Sequence, residues 1–244
     1  MRLEIKLACK ELTLPIAYKH ILQAVIYNML DQEAQSSFYH DEGYHVDEKV
    51  YKMFVFSDLL GEYEVKNKHI IFNNDIKFYI DSMDAPFIQS IYQFLQNNAY
   101  LYIAKQRVKI EGISIFKTPV FKGVQSITIQ TLSPVVAYKS KDKYVTYYKP
   151  GDSEFEELIR DNIKHKCQAY RYPTSQISFD IEEIVFAKKR LVHFKDNFYE
   201  AYHCQLKVRL NYDAFKVIYE TGLSAKGSSG FGMIYRKNEK SMPL

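Results

Sequence analysis

The chain has 244 residues, 47% of them hydrophobic and 25% charged, with a formal net charge of +4. That length can bury one large core or two small ones, and no apolar run approaches the ~18 residues a membrane-spanning helix requires. The charge is too small for electrostatics alone to indicate nucleic acid, and three scattered cysteines (Cys9, Cys167, Cys204) make neither a disulfide framework nor a Cys-x-x-Cys zinc site.

Leu3, Ile5 and Leu7 alternate with Arg2, Glu4 and Lys6, the period of a strand with one buried face and not the apolar core of a signal peptide, so a cytoplasmic protein is expected. Pro15 introduces a helix. From 18 to 30 the residues Ile21, Leu22, Val25, Ile26, Met29 and Leu30 form a stripe at helical spacing. Tyr27 projects nearly opposite the centre of that stripe, beside Gln23 and His20, so packing of the amphipathic face does not explain it. Segment 36–48 is polar, with His40-Asp41-Glu42-Gly43-Tyr44-His45 at its middle. A strand is predicted over 50–57, with Lys52 on the face opposite Met53 and Val55. One or two strands around Asn73-Asn74 follow over 68–80, then a helix over 86–97 and a strand over 107–116. Strand, helix, strand, strand, helix, strand is the ferredoxin-like order.

Segment 117–123 holds Pro119 and Gly123 and reads as a linker. The order then recurs: a strand over 124–132, a helix over 153–166, strands over 177–187 and 198–210, a short helix over 212–219 and a last strand over 231–235. No sequence repeat relates the halves. The expected fold is α+β, two tandem ferredoxin-like (RRM-like, βαββαβ) domains, 1–117 and 124–244.

Between the last helix and last strand lies Gly222-Leu-Ser-Ala-Lys226-Gly227-Ser228-Ser229-Gly230-Phe-Gly232-Met-Ile234, with four of the chain's nine glycines. Glycine permits positive φ and removes the Cβ that would keep a phosphate from backbone N–H groups, so the stretch suits a polyanion. It is not a nucleotide-binding P-loop, because Lys226 precedes Gly227 and the flanking elements are reversed. A glycine-rich hairpin without a ligand is the alternative. Lysines cluster at Lys139, Lys141, Lys143 and Lys149, at Lys164, Lys166 and Arg171, and at Lys188-Lys189-Arg190, each also readable as a solvated face. The 21 tyrosines and 16 phenylalanines are what stacking on unpaired bases uses, and a tyrosine-rich core gives the same count.

Three separate pieces resemble one family, the CRISPR-associated "Cas six" endoribonucleases of the RAMP superfamily, which cut precursor CRISPR RNA within its repeats. Gly230-Phe231-Gly232-Met233-Ile234 resembles its C-terminal glycine-rich signature. Ile26-Tyr27-Asn28, Phe38-Tyr39-His40-Asp41-Glu42-Gly43-Tyr44 and Tyr51-Lys52-Met53-Phe54-Val55-Phe56-Ser57 are similar to its N-terminal pieces in order and spacing. Thr131-Leu132-Ser133-Pro134-Val135 resembles a segment early in its second domain.

The resemblance implies cleavage without a metal or cofactor. The 2′-hydroxyl attacks the adjacent phosphate, giving a 2′,3′-cyclic phosphate and a 5′-hydroxyl, which calls for a base, an acid and positive charge near the phosphorane. It implies His40 as the catalytic histidine, acid or base, with Tyr27 orienting or donating and Lys52 offsetting charge. His45 is the alternative, and Tyr39-His40-Asp41-Glu42-Gly43 fits the family context better than Tyr44-His45-Val46. Tyr39 stands in place of the usual leucine, and the gap to Lys52 is longer. The resemblance further implies that Gly222, Lys226, Gly227, Ser228, Ser229, Gly230 and Gly232 contact repeat RNA, single-stranded or as a stem-loop. Other CRISPR effector subunits and a second copy of the chain are further candidate partners; no membrane is. A module that binds repeat RNA without cutting it is the second function considered. A hydrolase holding a metal on His40, Asp41, Glu42 and His45 is disfavoured, since adjacent ligands on one loop rarely complete a site.

Overall fold

The computed structural model describes residues 1–30, 37–142, 144–173 and 176–237; the side chain of His40, Lys143 of the first lysine cluster and the start of the polar segment at 36 lie outside them. The first half runs β1 (Arg2–Ala8), β2 (Leu12–Pro15), α1 (Lys19–Asn28), β3 (Tyr44–Val46), β4 (Lys49–Tyr51), β5 (Phe54–Phe56), β6 (Tyr63–Lys66), β7 (His69–Phe72), β8 (Ile76–Ser82), α2 (Ala85–Asn97), β9 (Tyr100–Ile103) and β10 (Gln106–Phe116). The second runs β11 (Val124–Thr131), β12 (Tyr138–Lys141), β13 (Tyr144–Tyr147), α3 (Ser153–Ala169), β14 (Phe179–Phe194), β15 (Asn197–Asn211), α4 (Tyr212–Thr221) and β16 (Ile234–Arg236).

Two antiparallel sheets carry the architecture, ordered β5-β8-β1-β10-β9 and β14-β15-β11-β16. Without the added hairpin strand β9, each places its first strand between its third and fourth, the ferredoxin-like arrangement, so the chain is α+β with two such units in tandem. The apolar face of each sheet is covered by its two helices. Leu22, Val25 and Ile26 of α1 and Phe87, Ile88 and Ile91 of α2 pack on Leu3, Ile5 and Leu7. Phe155, Ile159 and Ile163 of α3 and Ala214, Phe215 and Ile218 of α4 do the same for Leu206, Val208 and Leu210.

The opposite faces of the two sheets meet. Val55 and Tyr79 of the first pack with Leu132, Met233 and Tyr235 of the second half. The Arg2 guanidinium is fully buried in this joint, 3.0 Å from Asp81 Oδ2 and 2.8 Å from each of the carbonyls of Ile234 and Tyr219. It also lies 3.7 Å from the centroid of the Tyr219 ring.

Four expectations need correction. The strand expected over 50–57 is two: β4 pairs with β3 in a hairpin and β5 joins the sheet, with Lys52 and Met53 at a bend closed by the Phe54 N–H on Lys52 O at 2.8 Å. Pro15 ends β2 instead of opening a helix. Phe231, Gly232 and Met233 lie outside the last strand, because their N–H groups go to Lys226 O, Pro134 O and Ser133 Oγ. Finally, β14 and β15 run on to Phe194 and from Asn197, forming a long arm that carries Lys188, Lys189 and Arg190.

Candidate functional site

Residues Phe38–Glu42 form one wide helical turn, closed by the Gly43 N–H on Phe38 O at 2.8 Å. Both ends of this turn are clamped. The Tyr39 and Tyr44 hydroxyls donate to the same oxygen, Oδ2 of Asp84, just before α2. The Tyr39 ring lies edge-on to Phe87 of α2, and the Tyr44 ring edge-on to Tyr170 at the end of α3, at 4.8 and 5.1 Å. Burial, and then the hydrogen bond to Asp84, raise both phenols' pKa values. Gly43 sits at φ +79, and a Cβ there would lie 2.9 Å from Tyr51 O and 2.8 Å from Lys52 Cδ. Glycine therefore lets the β4 chain pass directly against the turn.

Two of the expected side chains, Tyr27 and Lys52, gather beside the turn that carries His40. Tyr27 does not project away from the protein: it is half-buried, its ring 5.8 Å from that of Phe54 in an edge contact. A residue off the stripe of its own helix is covered by a strand distant in sequence. Burial, then the nearby Asp41 charge, push its phenol up to about 12, so at neutral pH it is a proton donor. Lys52, half-buried at the bend, places Nζ 3.5 Å from Phe38 O. Burial lowers its pKa, while Asp41 and Glu42 act to keep it charged. His40 belongs to the turn between these groups. His45 lies on β3 between Tyr44 and Val46, which pack against the core, so it faces the other way and is exposed.

The glycine stretch lies mostly in the joint between the domains. A Cβ at Gly227 would be 2.3 Å from Thr221 O, and one at Gly230 2.5 Å from the Phe56 ring, so these positions lack side chains because β5 and α4 press on them. Lys19 Nζ reaches Gly230 O at 2.8 Å, and Gln23 Nε2 binds Ser228 O, tying α1 to the stretch. The N–H groups of Gly222, Ser229, Gly230 and Gly232 all donate within the protein. Lys226, Ser228 and Ser229 remain half-exposed, with the Lys226 ammonium 5.9 and 5.8 Å from the Tyr138 and Tyr199 ring centroids.

The lysine clusters divide. Lys188, Lys189 and Arg190 are exposed, with Lys189 paired to Glu200. Lys166 is no surface cation: it is buried and donates to Thr221, Gly222 and Ser224 carbonyls at 3.1, 2.7 and 3.0 Å. Sequence reasoning missed Lys19, Gln23 and Asp84. An aspartate before a helix reads as an ordinary cap, yet Asp84 makes no side-chain cap bond. A polar residue within an apolar stripe was the available signal elsewhere: Asn162 and Lys166 fall in line with Phe155, Ile159 and Ile163 on α3.

Residues 116–235 match the family model described as "CRISPR associated protein Cas6, C-terminal". A Methanocaldococcus jannaschii protein named "CRISPR-associated endoribonuclease Cas6 1" is 27% identical over an alignment covering 100% of this chain and 97% of the relative. The Pyrococcus furiosus "CRISPR-associated endoribonuclease Cas6" is 26% identical over 93% of this chain and 85% of its own length. Among solved structures, a Cas6-related protein of Pyrococcus furiosus superposes with a TM-score of 0.80 at 21% identity, covering 98% of this chain and 99% of that one. A structure described as "An RAMP protein binding different RNA substrates" superposes at 0.77 and 18% identity, covering 97% and 99%.

Proposed function

We infer that this chain, which belongs to the Cas6 family of CRISPR-associated proteins, is an endoribonuclease that cuts precursor CRISPR RNA within its repeats to release guide RNAs. The observation that carries the reading is the gathering of Tyr27, the His40 turn and Lys52 between α1 and the β4–β5 bend. Similarity over 100% and 93% of the chain to two proteins named as Cas6 endoribonucleases supports it.

The chemistry proposed is a transesterification. The 2′-oxygen forms a bond to phosphorus and gives up its proton, while the bond from phosphorus to the 5′-oxygen breaks and that oxygen takes a proton. The products are a 2′,3′-cyclic phosphate and a 5′-hydroxyl. His40 supplies one proton transfer, since an imidazole changes charge near neutrality. Tyr27, held neutral by burial, donates a hydrogen bond to a phosphate oxygen or to the attacking hydroxyl. Lys52 offsets the charge that builds on the phosphorane. Lys226, Ser228 and Ser229 grip the RNA backbone at the edge of the joint, while the glycines beside them let the loop fit against β5.

The test is repeat RNA from the chain's own CRISPR locus incubated with the protein in EDTA, products end-mapped. A cyclic phosphate and a 5′-hydroxyl are expected. Tight binding without cutting would replace the reading with an RNA-binding module, and cutting only after added metal would replace it with a metal-dependent hydrolase. His40→Ala should lower cleavage about 10²–10⁴-fold, with His45→Ala close to wild type; the reverse pattern would move the site to the hairpin.

A further inference from the structure

Beside the catalytic turn, on the far side of β4, residues of the two domains line a cavity of about 570 Å³ that opens to solvent. That is within the range of roughly 300–1,000 Å³ typical of small-molecule pockets. Tyr51 of β4 and His165 of α3 form one wall, their rings 6.4 Å apart and tilted by 40°. Tyr138 of β12 contributes a third ring, and Ala137, Ile159 and Leu223 give an apolar floor. At the rim stand Lys49, Lys139 and Lys226 against one acidic residue, Asp161. Asn162 also borders the cavity; it is 7% exposed, and its carboxamide oxygen is buried with no hydrogen-bond partner among the described residues. A buried polar atom without a partner costs about 1–3 kcal/mol, and a turn of the carboxamide towards the cavity, where a ligand's N–H could donate to its oxygen, would relieve that cost.

We propose that this cavity is a base-binding pocket, which takes one unpaired nucleotide of the RNA and reads the N–H edge of its base through Asn162. The proposal rests on the RNA-processing reading above for its ligand. Rings with an apolar floor suit the face of a base, lysines at the rim suit the flanking phosphates, and a carboxamide suits the base edge. Tyr51 enters the pocket while Lys52, the next residue, reaches the catalytic turn, so β4 divides the two sites. The pocketed nucleotide therefore lies close in space to the one that is cut, and the pocket contributes to where the cut falls.

The test uses the full-length chain with His40 and His45 both replaced by Ala, so that RNA stays intact under either histidine assignment. Dissociation constants are measured for the repeat RNA and for a set of the same RNAs, each with one abasic ribose. One abasic position should weaken binding about tenfold. Adding Asn162→Leu, which removes the carboxamide but keeps the volume, should weaken binding of the intact RNA similarly and abolish the penalty at that position alone. His165→Ala, at the half-exposed wall, repeats the cycle should the leucine variant unfold. Equal affinity of parent and variants, or abasic penalties that no pocket variant changes, overturns the pocket while leaving the cleavage reading untouched. Binding that follows the expected pattern in a chain whose unmodified form does not cut supports the pocket and sinks the cleavage reading. No binding of repeat RNA by the parent overturns both.

Discussion

Tyr27 reaches the site through two unrelated segments: its helix supplies the position, and Phe54 of β5 covers one edge of its ring. Burial, and then the Asp41 charge, push the phenol up to about 12, so it remains a donor throughout the neutral range. Tyr27→Phe keeps the edge contact and removes only the hydroxyl. We expect kcat to fall about 10²–10³-fold, as for loss of one preorganised donor, with KM changed little. The pH profile of kcat should keep its shape, because Tyr27 does not titrate in the measured range. Loss of the basic limb in Tyr27→Phe would instead make the tyrosine an acid that titrates within that range. From the sequence, helical spacing said correctly that Tyr27 lies off the α1 stripe, but it could not say what lies across from that side. Its role, like those of His40 and Lys52, came from resemblance, since polar side chains carry the same pattern on a bland surface.

At the scale of elements, alternation and helical stripes were legible wherever one face is wet, as on α1, α2 and β11. They failed between Tyr51 and Phe56, where only Lys52 is not buried, so period-2 reading passes straight over the bend. The glycine stretch was legible as a place where backbone comes close to something; whether that is a phosphate or Phe56 depends on a partner distant in sequence. Lys166 shows what the packing of such elements demands. Its ammonium joins α3 to the end of α4 and the start of the glycine stretch, and burial lowers its pKa to about 7. An unfolded lysine titrates near 10.4, so between about pH 7 and 10 the unfolded chain binds a proton that the folded chain has lost. Stability should therefore rise with pH across that window, and the rise should be missing in Lys166→Met. Urea melts of both forms from pH 6 to 10 read this as a widening gap above pH 7, on a scale of a few kcal/mol. Parallel curves would mean that Lys166 remains charged where it is buried.

For the whole molecule, the order of elements announced two ferredoxin-like units, but nothing in the sequence announced how they meet. In β1, Arg2, Glu4 and Lys6 alternate with the apolar residues and read as a solvent face, yet Arg2 and Glu4 are buried, 0% and 3% exposed. Alternation separates two faces of a strand without revealing that a second domain covers the polar one. The Tyr79 hydroxyl satisfies Glu4, and Arg2 meets Asp81 on its own sheet and the Ile234 and Tyr219 carbonyls of the other domain. This joint fixes the glycine stretch against β5, and through Lys19 and Gln23 against the helix that carries Tyr27. Removing one member of a buried ion pair typically costs about 3–5 kcal/mol, because the other charge is left uncompensated. Arg2→Met should therefore lower the unfolding midpoint, and cleavage should fall with no change at Tyr27, His40 or Lys52. Adding Asp81→Asn to that variant should recover part of the lost stability, since it discharges a buried carboxylate left with only the N-terminal ammonium, 3.3 Å away, as its cationic partner. An Arg2→Met chain that melts and cuts like the wild type would show that the apolar contacts of Val55, Tyr79, Met233 and Tyr235, with the Lys19 and Gln23 bonds to the glycine stretch, set the angle between the domains without Arg2.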